Sequence, residues 1–240
     1  MSTVIWHELE CGHYRADLEL WQGLAAEYGG PVLDIGAGSG RVALALARAG
    51  IEVVALDREP LLLAELERRG AGLPLRTVVA DAREFALSER FPLIIVPMQT
   101  IQLLEGRPGR QALLSRAREH LAEGGVVALA LAEAEEFEEF QWRPGDPYPL
   151  PDMTEREGYL YTSQPTAVRR EGERYVLERS RSIVDPEGRL EVSEDRIVLE
   201  LLQLGQLDEE ALECGLQLRE QRTIAATSDH IGSRVVIAGV

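Results

Sequence analysis

The segment VLDIGAGSGR, residues 32–41, constrains the fold of this chain more than any other stretch. Apolar residues flank Asp34, three glycines follow within five positions, and the apolar run VALALA comes directly after Arg41. This order is typical of a short buried strand, a glycine-rich loop and an amphipathic helix. Glycine adopts positive φ angles and has no side chain, so another group can approach its backbone closely. The segment therefore predicts a binding loop between a buried strand and a helix.

Apolar strands alternate with amphipathic helices on both sides of this segment. The spacing predicts strands at 32–35, 51–57, 75–81, 91–98, 124–132, 217–224 and 233–240. It predicts helices at 13–28, 41–50, 60–69, 110–122 and 208–216. Strands that are apolar throughout and separated by helices are typical of a parallel sheet covered on both faces. The sequence therefore predicts an α/β fold with a doubly wound, mostly parallel seven-stranded sheet.

A different pattern interrupts this alternation between residues 143 and 205. An acidic helix with Phe137 and Phe140 inward leads into a proline-rich connector flanked by Trp142 and Tyr148, which either line a pocket or anchor the loop. Three alternating runs follow, YLYTSQPTAV, RYVLERSRSIV and LEVSEDRIVLELLQL, and they predict an antiparallel meander. We expect residues 1–142 and 206–240 to form one core domain. We expect residues 143–205 to form an inserted antiparallel sheet, which lids a pocket or pairs with a second copy in a homodimer.

The composition limits the partners and the compartment. Acidic residues outnumber basic ones 41 to 25, which gives a formal net charge of −16. Such a charge opposes binding to phosphate backbones, so we expect no nucleic-acid partner. Every basic residue is an arginine, so no lysine can act as a base. No segment has the pattern of a signal peptide or of a membrane span, and the two cysteines form no metal-binding pattern, so we expect a cytoplasmic protein with no membrane contact and no metal.

Acidic residues close the first three predicted strands. Asp57 ends the second strand, 21 residues after Gly36, and Asp81 ends the third. Because the carboxyl ends of parallel strands meet at one edge, Asp34, Asp57 and Asp81 should converge there. A carboxylate placed like Asp57 can accept hydrogen bonds from both ribose hydroxyls. Arg41 stands where a dinucleotide-binding GxGxxG pattern has its third glycine, which favours a nucleoside without phosphates over a pyrophosphate.

Taken in order, five segments resemble the successive motifs of class I S-adenosylmethionine-dependent methyltransferases. They are VLDIGAGSGR, VVALD, VVADAREF, FPLIIVPMQTIQLL and HLAEGGVVALAL. The nearest pattern is the small-molecule group with a core like methyltransferase domain 25, and the resemblance covers about residues 10–132 and, more loosely, 208–240. It implies a Rossmann-like fold, S-adenosyl-L-methionine as cofactor and a small-molecule acceptor.

The resemblance also implies a role for each matching residue. The methionine end of the cofactor would be held by Asp34, Gly36, Ala37, Gly38 and Gly40. Asp57 would take the ribose hydroxyls, with Arg58 over the adenine. The adenine amino group would donate to Asp81, and a ring nitrogen would accept from the Ala82 N–H. Near the transferred methyl group would lie Met98 and Gln99, with Tyr14 in an N-terminal helix that closes over the cofactor.

Methyl transfer from a sulfonium is an in-line displacement that depends on alignment of the two reactants. A neutral amine needs no strong base, whereas a hydroxyl acceptor usually does. The sequence does not assign a catalytic residue; the candidates are His7, His13 and Gln99, with His120 and His230 as further histidines for which an exposed or capping role is the more common. We expect a nitrogen or oxygen acceptor. Two alternatives stay open: a non-catalytic module that binds the cofactor or a partner, and a nicotinamide-dependent oxidoreductase, which Arg41 disfavours.

Overall fold

The computed structural model describes residues 2–139, 150–227 and 230–240. Its helices are α1 (Ser2–Cys11), α2 (Leu18–Tyr28), α3 (Arg41–Arg48), α4 (Pro60–Arg69), α5 (Arg107–His120), α6 (Ala134–Glu139) and α7 (Leu204–Glu213). Its strands are β1 (Val32–Ile35), β2 (Val53–Asp57), β3 (Leu75–Val79), β4 (Phe91–Val96), β5 (Leu121–Leu131), β6 (Asp152–Arg156), β7 (Tyr159–Arg170), β8 (Arg174–Val184), β9 (Leu190–Glu200), β10 (Gln217–Ile224) and β11 (Ser233–Gly239).

Seven of the strands form the larger sheet, in the order β10-β11-β5-β4-β1-β2-β3. All neighbours pair in parallel except β11, which is antiparallel to both β10 and β5. The predicted mostly parallel seven-stranded α/β sheet is therefore confirmed. Its first three strands run side by side in the same direction, so their carboxyl ends share one edge, which we call the loop edge.

Helices cover both faces of this sheet. Successive residues of a strand point to opposite faces, so neighbouring residues pack against different helices. Val32 packs with α2 and α3 in one buried cluster, and its neighbour Leu33 packs with α5 and α7 in the other. Trp21 of α2 and Leu113 of α5 are buried against the sheet.

The remaining four strands form a smaller, antiparallel sheet in the order β6-β7-β8-β9. This sheet falls within the segment that the sequence predicts as an insertion. The three predicted strands are confirmed, but β6 was missed because its five residues are too few to display a period and follow a proline-rich stretch. The predicted boundaries at residues 142 and 143 lie outside the described residues, as do Phe140, Trp142 and Tyr148; Phe137 is buried and stacks on Tyr175 at 4.4 Å.

The N-terminal region differs from the prediction. The helix expected over 13–28 begins at Leu18, and a separate helix, α1, precedes it. Tyr14 therefore lies in the connector between two helices and not within one. The sequence missed α1 because this helix buries only Trp6 and Leu9, too few apolar residues to reveal a helical period. Among the described helices, none is long and apolar enough to cross a membrane.

Candidate functional site

The glycine loop follows β1 at the loop edge, where the sequence places it. Gly36, Gly38 and Gly40 have φ angles of 76°, 55° and 93°, which residues with a side chain rarely adopt. A Cβ at Gly36 would lie 2.6 Å from Thr100 Cγ2, and one at Gly38 would lie 2.5 Å from His7 Cε1. The loop thus requires glycine for its backbone conformation and for the close packing of the protein's own side chains.

Asp57 fixes the conformation of this loop. Its Oδ2 accepts a hydrogen bond of 2.8 Å from the Gly38 N–H, and its Oδ1 accepts one of 2.9 Å from the Glu59 N–H. Each carboxylate oxygen has two lone pairs, so both can accept a second donor. The structure therefore brings Asp57 against the glycine loop with capacity for a ligand's hydroxyl groups.

Asp34 and Tyr14 carry buried polar atoms without partners among the described residues. Both carboxylate oxygens of Asp34 and the hydroxyl of Tyr14 lack a partner in hydrogen-bond geometry there, and the Ala43 backbone N–H affects the pKa of Asp34 less than burial or Arg41 does. Burial raises the pKa of Asp34 to about 7 against the opposing effect of Arg41, and burial together with Asp17 raises the pKa of Tyr14 to about 12. Leaving such groups unpaired costs free energy, so the site suits a ligand that supplies donors.

Arg41 closes the loop through contacts that the sequence did not reveal. Its guanidinium forms a bidentate ion pair with the Asp17 carboxylate, in which Nη2 and Oδ2 lie 2.7 Å apart. Asp17 also accepts a 2.8 Å hydrogen bond from Trp21 Nε1, and Arg41 lies 5.0 Å from the centre of the Tyr14 ring. This buried pair ties the connector before α2 to the start of α3.

Helix α1 bridges the loop edge and the smaller sheet. His7 lies against Gly38, and its Nδ1 is 3.2 Å from Ser39 Oγ. Burial lowers the pKa of His7, while the negative charge of Asp57 opposes this shift. On the other side of the helix, Trp6 packs edge-to-face on Tyr161 of β7 at 5.5 Å. A residue named only as a candidate base is therefore part of the loop's packing.

Among the residues expected around an adenine ring, Asp81 is already paired within the protein. Asp81 follows β3 at the loop edge, but its carboxylate is paired with Arg83, whose Nη2 lies 2.7 Å from Oδ2. The hydrogen bond from Arg83 lowers the pKa of Asp81. Arg58 is exposed, and Ala82 is half-buried beside Asp81.

The other candidate residues are Met98 and Gln99 after β4 and two further histidines. Met98 has a φ of 54°, and Gln99 Nε2 lies 3.5 Å from Ser233 Oγ on β11. His230 stacks on Tyr14 with ring centres 4.7 Å apart, and His13 is exposed.

His120 is not exposed, but it does make capping contacts at the C-terminal end of α5. His120 is buried, and its Nε2 accepts a 2.9 Å hydrogen bond from the Leu87 N–H. Its Nδ1 lies 2.7 Å from the Arg116 carbonyl oxygen. The described residues contain no group of three or more His, Cys, Asp or Glu side chains that could hold a metal ion.

Sequence reasoning also missed a set of polar residues on the face of the smaller sheet that meets α1. We call them the charged band; they are Asp152, Ser163, Arg179, Arg181 and Asp195. The alternation of Arg179 and Arg181 on β8 was a visible signal, but it does not show which face of the strand is covered.

Comparison with known proteins gives the same class as the sequence motifs. Residues 32–125 match the family described as methyltransferase domain. The cypemycin N-terminal methyltransferase of Streptomyces sp is 32% identical over 110 residues, 46% of this chain and 45% of that protein. The ubiquinone biosynthesis O-methyltransferase of Photorhabdus laumondii is 30% identical over 102 residues, 42% of each chain. The match thus spans somewhat less than half the length of these curated relatives.

A solved structure extends the similarity over nearly the whole chain. A glycopeptide N-methyltransferase in complex with S-adenosyl-L-homocysteine aligns with 93% of this chain and 86% of its own, with a TM-score of 0.63 and 25% sequence identity. The similarity therefore includes the smaller sheet as well as the glycine loop.

Proposed function

We propose, from the premise that this chain contains a class I S-adenosylmethionine-dependent methyltransferase domain, that the protein transfers a methyl group to a small-molecule acceptor by in-line displacement. The premise is confirmed by the matched family, by the named methyltransferases and by the fold, and with it the predicted cofactor. The acceptor and the roles of individual residues belong to the proposal.

The buried carboxylate of Asp34 is the observation that carries the proposal. It is unpaired, and the hydroxyl of Tyr14 is unpaired as well. An ammonium group, such as that of the cofactor's methionine end, supplies the donors that these atoms lack. We assign this end of the cofactor to Asp34 and Tyr14 and to the loop residues Gly36, Ala37, Gly38 and Gly40.

The nucleoside end is assigned to the next two strand ends. Asp57 is already oriented by two backbone N–H groups, so its remaining lone pairs can accept from the ribose without further ordering. We assign Arg58, Asp81 and Ala82 to the adenine, with Asp81 sharing its carboxylate between Arg83 and the adenine amino group. Met98 and Gln99 are assigned to the region of the methyl group.

We propose nitrogen as the acceptor atom. When bound, the cofactor supplies an activated methyl group on a sulfonium. Asp34 and Asp57 favour the positive charges of the cofactor, its sulfonium and its ammonium group. The names of the cypemycin and glycopeptide enzymes support nitrogen, while the ubiquinone enzyme keeps oxygen as a second candidate.

Residues 143–205 are proposed as the lid subdomain over this site, since α1 joins the smaller sheet to the glycine loop. A homodimer through that sheet, a cytoplasmic location and the absence of nucleic-acid partners stay predictions. The non-catalytic module is the alternative, and it predicts cofactor binding without turnover of any amine or alcohol.

Calorimetric titration with S-adenosylhomocysteine and with NAD tests the proposal. We expect the first to bind and the second not to bind. Asp57→Ala should weaken S-adenosylhomocysteine binding by about 1–3 kcal/mol, because two ribose donors lose their acceptor. Asp185→Ala, a change in the surface turn between β8 and β9, is the control and should leave binding unchanged. Binding of NAD without S-adenosylhomocysteine would refute the proposal, and equal affinities for Asp57→Ala and wild type would remove the ribose assignment.

A further inference from the structure

The charged band places five polar side chains on one face of the smaller sheet. Asp152 of β6 lies opposite Ser163 of β7, and Ser163 lies opposite Arg181 of β8. Arg179, two residues before Arg181, lies opposite Asp195 of β9. Since residues two apart on a strand share a face, the band faces the same side as the contacts with α1.

Arg181 is fully engaged within the band. Its Nε and Nη2 donate to the two carboxylate oxygens of Glu10 in α1 at 2.8 and 2.7 Å, and its Nη1 donates to Asp195 Oδ1 at 2.7 Å. Glu10 also accepts a 2.7 Å hydrogen bond from Ser163. These contacts attach the sheet to α1, and Arg181 therefore has a structural role.

Arg179 differs, although it is the same residue type on the same face of the same strand. Its nearest carboxylate oxygen, Asp152 Oδ2, is 3.7 Å from Nη1, which is beyond hydrogen-bond distance. Within the described part of the chain, its Nε and Nη1 have no hydrogen-bond partner, and the second oxygen of Asp195 has none either. Only 13% of the Arg179 side chain is exposed, against 46% for Asp152. Buried N–H donors and an accessible carboxylate thus lie side by side without satisfying each other.

The incomplete pair lies on the face of the smaller sheet that meets α1, and His7 of α1 lies against Gly38 of the glycine loop. The charges that act on Asp152 come from Arg179, His13, Glu10 and His230, and burial raises its pKa. His230 stacks on Tyr14, which belongs to the same buried cluster as Ala37 of the glycine loop. Helix α1 and the Tyr14 connector therefore link the band to the place assigned to the methionine end of the cofactor.

We propose that Asp152 and Arg179 bind the methyl acceptor, Asp152 accepting from its amine and Arg179 donating to an oxygen on the carbon next to the amine-bearing carbon. The proposal rests on the proposed function and specifies its acceptor class: an amine with a neighbouring hydroxyl or carbonyl oxygen. Such a molecule supplies a donor to the accessible carboxylate and an acceptor to the buried guanidinium, which a simple alkylamine does not. A guanidinium is suited to this task because it presents several donors in one plane.

The test uses the full-length protein saturated with S-adenosylhomocysteine and two probes, trans-2-aminocyclohexanol and cyclohexylamine, which differ by the neighbouring hydroxyl. Calorimetry or saturation-transfer NMR gives both affinities. We expect the wild type to bind the amino alcohol about tenfold more tightly, the factor that one hydrogen bond of about 1.4 kcal/mol provides. Arg179→Met should remove this preference, and Asp152→Asn should weaken the binding of both probes.

Controls separate binding from folding. Arg174→Met alters an exposed arginine of β8 and should keep the preference. Arg179→Lys, which keeps the charge and loses the planar donors, serves as a second variant and should keep a reduced preference; thermal melting verifies the fold of each protein.

Two outcomes overturn the inference while S-adenosylhomocysteine still binds. One is a wild type that binds neither probe or binds both equally. The other is a folded Arg179→Met variant that retains the full preference. Failure to bind S-adenosylhomocysteine refutes the proposed function instead, so the two failures are distinguishable.

Discussion

The loop edge and the charged band both bury polar groups without partners, but the two sets of groups differ in their chemistry. At the loop edge the unpaired atoms are the carboxylate oxygens of Asp34 and the hydroxyl of Tyr14. In the band they include guanidinium N–H groups of Arg179. The edge therefore suits a cationic ligand, and the band suits one that also carries an oxygen. The two proposed binding regions therefore differ in chemistry, and α1 and the Tyr14 connector join them.

Gly38→Val should have the largest effect on cofactor binding, because it changes the loop edge itself. The charged band is left untouched. Valine at a φ of 55° costs about 1–2 kcal/mol, and its Cβ would overlap the His7 ring. We expect S-adenosylhomocysteine binding to be abolished in calorimetry.

Gly50→Val is the matched control for this change. Gly50 also has a positive φ, 85°, but no atom lies within 4 Å of the position of a Cβ. The Gly50→Val variant should therefore be less stable than the wild type but should bind S-adenosylhomocysteine with unchanged affinity. Equal losses of affinity in the two variants would show that backbone strain alone explains the effect, and the loop edge would no longer be assigned to the cofactor.

Asp17→Ala tests what joins the loop edge to the connector that carries Tyr14. It leaves the Arg41 guanidinium buried, with 7% of its side chain exposed, and without a carboxylate partner, although Nη1 still donates to the Tyr14 carbonyl oxygen at 3.2 Å. Breaking a buried pair in this way costs about 3–5 kcal/mol. Chemical denaturation should show this loss of unfolding free energy, whereas Glu27→Ala, which removes an exposed partner of Arg222, should cost less than about 1 kcal/mol.

The double variant Asp17→Leu, Arg41→Met sharpens the result. Because it removes both charges, it should regain the part of the loss that comes from the unpaired Arg41, while Trp21 Nε1–H lacks its acceptor in both variants. If the double variant is as unstable as the single one, the charge pair is not what holds the connector.

The contrast between the two regions also explains what the sequence predicts. Asp34 and Asp57 lie near the carboxyl ends of strands whose apolar pattern is plain, and the glycines follow the first of these strands. Parallel strands bring these ends together. Arg179 has no such signal, because its surroundings depend on the register of three strands and on α1. The seven-stranded sheet could therefore be predicted, whereas the band and the Arg41–Asp17 pair depend on contacts between distant segments.

The smallest expected effect is the pH dependence of binding at the loop edge. The pKa of Asp34 is raised from its ordinary value, near 4, to about 7 by burial, with Arg41 opposing and Asp57 and Asp17 adding to the shift. In the free protein, the contribution of Asp34 to the free energy of unfolding is therefore complete below about pH 4 and is lost as the pH rises through about 7.

A cationic amino group beside Asp34 stabilises the ionised carboxylate, so binding of S-adenosylhomocysteine should release a proton. Its affinity should increase severalfold between about pH 6 and about pH 8, and calorimetry in buffers of different ionisation enthalpy should detect the proton. Asp34→Asn should bind more weakly with a flatter profile. If this variant keeps the slope of the wild type, another group titrates on binding and Asp34 does not hold the amino group.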